Sequence, residues 1–252
     1  MNPANNSYVF LSKVYDELMY DTDYDTWAAY IDTLIKKRIR SHADLFEAGC
    51  GTGNISIRLR KKGYHVIATD ISEEMLDIAS EKARELLSDV QFVKQDMREL
   101  KSEKKKDVVL ACCDAVNYLI NEKDLCSFFY SANNILKPNG ILLFDISSEY
   151  KLKSILGNEF FFEDGEDVTY FWQNTLNEDD ETVKMDITLF ISEDNIYRRF
   201  DETHVQRAHN AEKIKQLLSQ CGFGQVYAYS FLSENEYHKT DERIQFCATK
   251  KG

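Results

Sequence analysis

Residues 44–56 read Asp44-Leu-Phe-Glu-Ala-Gly-Cys-Gly-Thr-Gly-Asn-Ile-Ser56, and the amphipathic run IRLRKKG follows. A short, mostly apolar stretch runs into glycines at the alternate positions 49, 51 and 53. This is the pattern of a buried strand that enters a tight turn and then a helix. Glycines in such a turn let a ligand approach the backbone closely, because no Cβ stands in the way.

Outward from this stretch the same alternation repeats as far as Ser147. HVIATD, VQFVKQD, DVVLACCD and ILLFDIS read as strands, while SEEMLDIASEKARELL and KDLCSFFYSANNILK read as helices. Apolar runs alternating with amphipathic helices imply a doubly wound, mostly parallel sheet covered on both faces. Ser72 before Glu73 and Glu74 reads as a helix cap, and Pro138-Asn139-Gly140 as a turn.

Two other patterns flank this core. On the N-terminal side VFLSKVYDELM places Leu11, Val14, Tyr15 and Leu18 on one helical face, and a second helix, TWAAYIDTLIKKRI, is expected to be capped by Asp25 or Thr26. After Leu156 the period becomes two, in VTYFWQNTL, TVKMDITLF and IYRRFDETH, separated by NEDDE and SEDN, which predicts an inserted antiparallel three-stranded sheet. AEKIKQLLSQCG then returns to helix between Asn210 and Gly222, and QVYAYSF with RIQFCATK predicts a closing antiparallel hairpin. The chain thus divides into an N-terminal helical cap at 1–40, an α/β domain at 41–150 and 210–252, and a β insertion at 151–209 that serves a substrate or a dimer.

Three successive strands of the core finish in an acid: Glu47, Asp70 and Asp96. Open α/β sheets bind ligands at that rim, and an acid about 20 residues beyond a glycine turn is where ribose hydroxyls are held. Asp70 stands 19 residues after Gly51. A dinucleotide would favour a third glycine where this chain has Ser56, so that motif is incomplete.

The ordered set Glu47-Ala-Gly-Cys-Gly-Thr-Gly53, Asp70, Asp96-Met97 and Lys137-Pro138-Asn139-Gly140 resembles the class I S-adenosylmethionine-dependent methyltransferases, over roughly Ser41 to Ser147. The resemblance implies a seven-stranded sheet that ends in an antiparallel hairpin. It also implies that Glu47, Gly49 and Gly51 lie beside the methionine part of S-adenosylmethionine, with Asp70 on the ribose and Asp96 with Met97 against the adenine. Cys50, Gly53, Ile71 and Met75 fall in the same cofactor set, and Cys113, Asp114 and Asn117 border the methionine end and the methyl. Tyr-Asp-Glu-Leu-Met19, the insertion and FDETHVQR look like a bacterial small-molecule branch, similar in plan to sugar-amine and glycine N-methyltransferases.

An acceptor amine must be neutral and an acceptor hydroxyl must lose its proton, so His204 and Glu202 are candidates for a base or an anchor. Salt bridging within the sheet is the competing role. Tyr15, Tyr24 and Arg207 are candidates for the substrate side. A nicotinamide-dependent oxidoreductase and a non-catalytic S-adenosylmethionine-binding module remain alternatives at this point.

Composition limits the partners. Lys plus Arg is 31 against 43 for Asp plus Glu, a formal charge of -12, which repels phosphate backbones at long range. No Asn-Pro-Pro-Tyr or Asp-Pro-Pro-Tyr is present, so a DNA adenine acceptor is not expected. The six cysteines include no C-x-x-C pair, and no metal site is expected. No apolar run approaches the roughly 18 residues of a membrane span, and MNPANNSY does not resemble a signal peptide. The expectation is a cytoplasmic enzyme, monomer or homodimer, that acts on a small molecule without nucleic-acid or membrane partners.

Overall fold

A computed structural model describes residues 8–39, 42–193 and 196–252. Two helices come first, α1 (Leu11–Leu18) and α2 (Tyr24–Lys36). The cap of α2 is Asp23, whose carboxylate accepts the backbone N–H of Thr26, rather than Asp25 or Thr26 as expected. An acid one residue before the helix reaches the open N–H groups of its first turn, whereas Asp25 and Thr26 already lie inside that turn.

The α/β core contains β1 (Asp44–Ala48), α3 (Asn54–Lys61), β2 (His65–Asp70), α4 (Glu73–Glu85), β3 (Gln91–Lys94), β4 (Lys106–Ala111), α5 (Glu122–Ile135) and β5 (Leu136–Ser147). After an insertion the chain adds α6 (Ala211–Gln220), β10 (Phe223–Ser230) and β11 (Arg243–Lys250). The seven strands lie in the order β10-β11-β5-β4-β1-β2-β3. β1 pairs in parallel with β2 and β4, and β11 lies antiparallel between β5 and β10. The expected hairpin is therefore present, with its second strand taking the inner position. Leu45, Phe46, Val109, Leu110, Leu142 and Leu143 are fully buried between the two helical layers, as near-continuous apolar strands require.

Caps read from the sequence operate locally. Ser72 Oγ accepts the N–H of Met75 and starts α4, and Asn210 accepts from Lys213 and starts α6. These fix where two helices leave the sheet, and so where the strand ends open.

The insertion is four-stranded, not three-stranded: β6 (Phe160–Asp164), β7 (Val168–Asn177), β8 (Thr182–Glu193) and β9 (Ile196–Arg207) follow one another as antiparallel neighbours. The extra strand is FFFED, five residues at the sheet edge. Three consecutive phenylalanines show no period of two, which hides an edge strand from a pattern reading. One face of this sheet buries Leu189 and Ile191 against Leu11 and Val14 of α1. That packing brings the N-terminal helix over the carboxyl ends of β1, β2 and β4.

Candidate active site

The first wall is made by strand ends. Gly49 and Gly51 adopt φ of +69° and +52°, which places the turn after β1 in the left-handed region. A Cβ on Gly49 would lie 2.8 Å from that of Ala115, so two turns meet here without room for a side chain. A Cβ on Gly51 would meet nothing within 4 Å, since this residue faces the open cavity. Gly53 instead packs beneath Phe92 and Ala79 and does not line the cavity.

Asp70 at the end of β2 accepts the N–H of Gly51 at 2.8 Å and that of Ser72 at 2.9 Å. Burial raises its pKa, and these backbone donors work in the other direction. Asp96 follows β3 and is gripped by Arg98, which also reaches Asp124 at 3.2 Å. Burial opposes the Asp96 charge, but Arg98 outweighs it and holds the carboxyl below the usual range. Glu47 is 1% exposed and accepts from the Ser56 hydroxyl. Burial pushes its pKa up to about 8, only partly countered by Ser56.

The turn after β4 is held from behind. Cys113 and Asp114 both have positive φ, +59° and +51°, which non-glycine residues adopt at a cost of about 1–2 kcal/mol. The buried carboxylate of Asp145 on β5 accepts both of their N–H groups at 2.9 Å. Arg243 on β11 bonds Asp145 and Asp114, the latter at 2.7 Å, and so neutralises two acids buried together.

The second wall comes from the other end of the chain and from the insertion. Tyr8, Tyr15 and Tyr24 line the cavity from the N-terminal segment, Tyr118 lines it from the turn after β4, and Thr203 with Val205 lines it from β9. Asp16 of α1 accepts from Thr52 Oγ1 at 2.7 Å and from Asn54 Nδ2 at 2.8 Å, and pairs with Lys82 at 2.5 Å. The first helix is thereby bolted to the glycine turn. The enclosed space is about 240 Å³.

Most of the residues expected to meet a cofactor share this cavity: Glu47, Gly49, Cys50, Gly51, Asp70, Ile71, Met75, Asp96, Met97 and Cys113, with Tyr15 and Tyr24 opposite. Six others do not line it, Gly53 beneath Phe92 being one. Asp114 turns to Arg243 and Gln206, and Asn117 ties β5 to β9 through Ser147 and the carbonyl of Arg207. Arg207 binds the carbonyl of Ile120 and reaches Glu181. Glu202 and His204 are buried on the face of β9 opposite Thr203 and Val205, as period-two alternation demands. Glu202 accepts backbone N–H groups from Tyr8, Phe10 and Leu11 at 2.6–2.8 Å, which anchors the N-terminal segment. Tyr8, Tyr118 and Arg98 are among the lining residues that motif spacing did not reveal; the partners that mark the two tyrosines are distant in sequence.

Two features fit an S-adenosylmethionine-sized ligand at this rim. The hydroxyl of Tyr24 is buried at the cavity without a hydrogen-bond partner, and Gly51 leaves open space before a backbone already held by Asp70. A buried unpaired hydroxyl costs free energy unless a ligand satisfies it.

The family described as "Methyltransferase domain" matches residues 45–140. YqeM of Bacillus subtilis, a methyltransferase by name, is 37% identical over 244 residues, 96% of this chain and 97% of that one. An S-adenosylmethionine-dependent methyltransferase of known structure from Clostridium acetobutylicum is 32% identical, covers 98% of this chain and 100% of that one, and superposes with a TM-score of 0.88. The chain belongs to the S-adenosylmethionine-dependent methyltransferases. CalS10 of Micromonospora echinaspora, an amino pentose methyltransferase solved with S-adenosylmethionine bound, shares the fold at 18% identity and a TM-score of 0.71 over 98% of this chain and 99% of that one. The cofactor of the methyltransferase is thus S-adenosylmethionine. The nicotinamide alternative falls with this membership, and locally Ser56 is committed to Glu47 rather than shaped as a third phosphate-binding glycine. Among the described residues, no group of three or more His, Cys, Asp or Glu is placed to hold a metal, and no helix is long and apolar enough to cross a membrane.

Proposed function

We propose that this methyltransferase acts on a nitrogen or oxygen nucleophile of a small molecule, in the cytoplasm. The observation that carries the reading is the shape of the cavity: a cofactor rim of acids faces an enclosing wall of four tyrosines, and the formal charge of -12 disfavours a nucleic-acid acceptor. The amino pentose acceptor of CalS10 is of the same size class. The six free cysteines accord with a reducing compartment.

In this reading the methionine part lies by Glu47, Gly49, Gly51 and Tyr24, the ribose on Asp70 and the adenine by Asp96 and Met97. When bound, S-adenosylmethionine supplies an electrophilic methyl whose carbon–sulfur bond breaks onto sulfur as the acceptor's electron pair forms the new bond. The chain's own work is to orient the acceptor, exclude water and take up a proton. Residues 1–40 act as the cap and 151–209 as the acceptor-side wall.

The test is calorimetric titration with S-adenosylhomocysteine, then turnover of labelled S-adenosylmethionine with small amines and phenols against tRNA and protein acceptors. Micromolar binding with transfer to a small molecule is expected. Transfer to a macromolecule alone would overturn the acceptor class.

A further inference from the structure

Behind the tyrosine wall stands a chain of four hydrogen-bonding groups drawn from three distant parts of the sequence. Tyr8 Oη and Tyr118 Oη are 2.5 Å apart, and both residues line the cavity. Tyr118 Oη lies 3.3 Å from His204 Nδ1, and His204 Nε2 lies 3.1 Å from Glu202 Oε2. Both His204 and Glu202 are almost wholly buried.

The direction of each bond follows from chemistry. Burial opposes the Glu202 charge, yet His204 and three backbone N–H groups hold the carboxyl below the usual range, so it is ionised and only accepts. His204 therefore donates from Nε2, and in the neutral tautomer that the relay requires the lone pair on Nδ1 faces Tyr118. Tyr118 then donates to Nδ1, and its oxygen accepts from Tyr8. Burial raises the pKa of both tyrosines, so they stay protonated and act as conduits rather than as phenolate bases.

We propose that Tyr8, Tyr118, His204 and Glu202 form a relay that takes the acceptor's proton out of the cavity during methyl transfer. This rests on the small-molecule methyl-transfer reading above. The acceptor's proton passes to Tyr8 Oη, Tyr8's own proton to Tyr118 Oη, and that of Tyr118 to His204 Nδ1. Both hydroxyls end neutral, and the new imidazolium stands beside the Glu202 carboxylate. Reverse passage into the cavity after product leaves resets the chain. Tyr8 and Tyr118 meet the acceptor, whereas His204 and Glu202 are positioning residues that act through Tyr118. Glu202 also receives the N–H groups of residues 8, 10 and 11, so the relay is complete only when the N-terminal segment is seated. Among the described residues, the groups that face His204 are Tyr8 with its ring centroid at 4.7 Å, Tyr118, Glu202 and, across the sheet, the non-titrating Met185; Asp114 acts electrostatically on Tyr8 and Tyr118.

The experiment compares the full chain with His204→Gln, Tyr118→Phe and the double variant. Glucosamine, ethanolamine, tyramine and catechol serve as acceptor probes, with S-adenosylhomocysteine binding as the control for fold and cofactor site. Each single variant is expected to keep cofactor affinity within about twofold and to lose about 10²- to 10⁴-fold in kcat, the usual range for removal of acid–base help. The double variant is expected to be no worse than either single one, because both cut the same path. The kcat–pH profile of His204→Gln should lose the limb that reports a base on the enzyme. Additive losses, or an unchanged pH profile in His204→Gln, would overturn the relay. Imidazole nitrogen NMR decides it independently of any acceptor: the relay requires a ring protonated on Nε2 alone, and protonation on Nδ1, alone or with Nε2, overturns it. If the wild-type chain does not bind S-adenosylhomocysteine, the methyl-transfer reading falls and the relay falls with it. Binding with no effect of the variants removes the relay alone.

Discussion

The two walls of the cavity are assembled over very different lengths of chain. On the sheet side Gly51 meets Asp70 across 19 residues, and Ser56 meets Glu47 across 9. On the cap side Tyr8 meets Glu202 across 194 residues and Tyr118 across 110. The first wall is built of acids and backbone N–H groups whose geometry a turn and a strand end dictate. The second is built of rings and hydroxyls that have no meaning until the insertion has folded over α1. On the proposed function, cofactor recognition is thus a local property of the chain, and the surroundings of the acceptor are a property of its tertiary structure.

If that division holds, damage to the sheet wall should show first in cofactor affinity. Gly49→Val forces a β-branched residue to φ +69° against Ala115. Titration with S-adenosylhomocysteine should show a loss of about 150-fold or more, the equivalent of about 3 kcal/mol from strain and overpacking. Near-wild-type affinity would mean that the turn re-forms elsewhere. Asp70→Ala should weaken the same ligand by about 5- to 150-fold, the range for charged hydrogen bonds. An unchanged constant in a folded variant would place the ribose away from Asp70.

Glu47 sharpens the contrast through pH. Its pKa is raised in the folded chain to about 8 from the ordinary 4.5, so between those values the native state binds more protons than the unfolded one. Stability should therefore fall as pH rises through that window, by up to about 1.4 kcal/mol per pH unit from this group, and level off above it. Denaturant unfolding of Glu47→Gln should lack that slope; a slope identical to that of the wild type would assign it to other groups.

Asp16 joins the two walls. Burial opposes its charge, but Lys82, Thr52 and Asn54 hold its carboxyl below the usual range. Asp16→Asn should speed S-adenosylhomocysteine release by about fivefold, for a loss of about 1 kcal/mol. No change in a stopped-flow measurement would show that α1 does not hold the glycine turn closed. The smallest effect belongs to the outer edge of the insertion, where Phe162 is 65% exposed. Phe162→Ser should alter thermal stability by less than about 0.5 kcal/mol and leave cofactor binding as it was.

The same division explains what the amino-acid pattern revealed. Ser72 and Asn210 act within three residues of themselves, so their capping roles could be read directly, and the mostly parallel sheet followed from the alternation. Asp114 and Asn117 sit in the right turn, but neighbouring residues of a turn point opposite ways; Cys113 lines the cavity while those two brace it from behind. Glu202 and His204 were singled out by chemistry, yet strand parity puts them on the face of β9 opposite the residues that line the cavity. Nothing near Tyr8 or Tyr118 in sequence hints that their hydroxyls touch. The fourth strand of the insertion escaped because its apolar residues are consecutive.

Arg243 sets an order on events as the chain is made. The strands β1, β4 and β5 are complete by residue 147, but the acids 114 and 145 they bring together receive their cation from a strand that begins 96 residues later. A chain halted before that point lacks the cation that pairs with both acids, and such a fragment should be cut readily by protease after β4. A strand made well after β4 and β5 is thus the one that completes the floor of the active site.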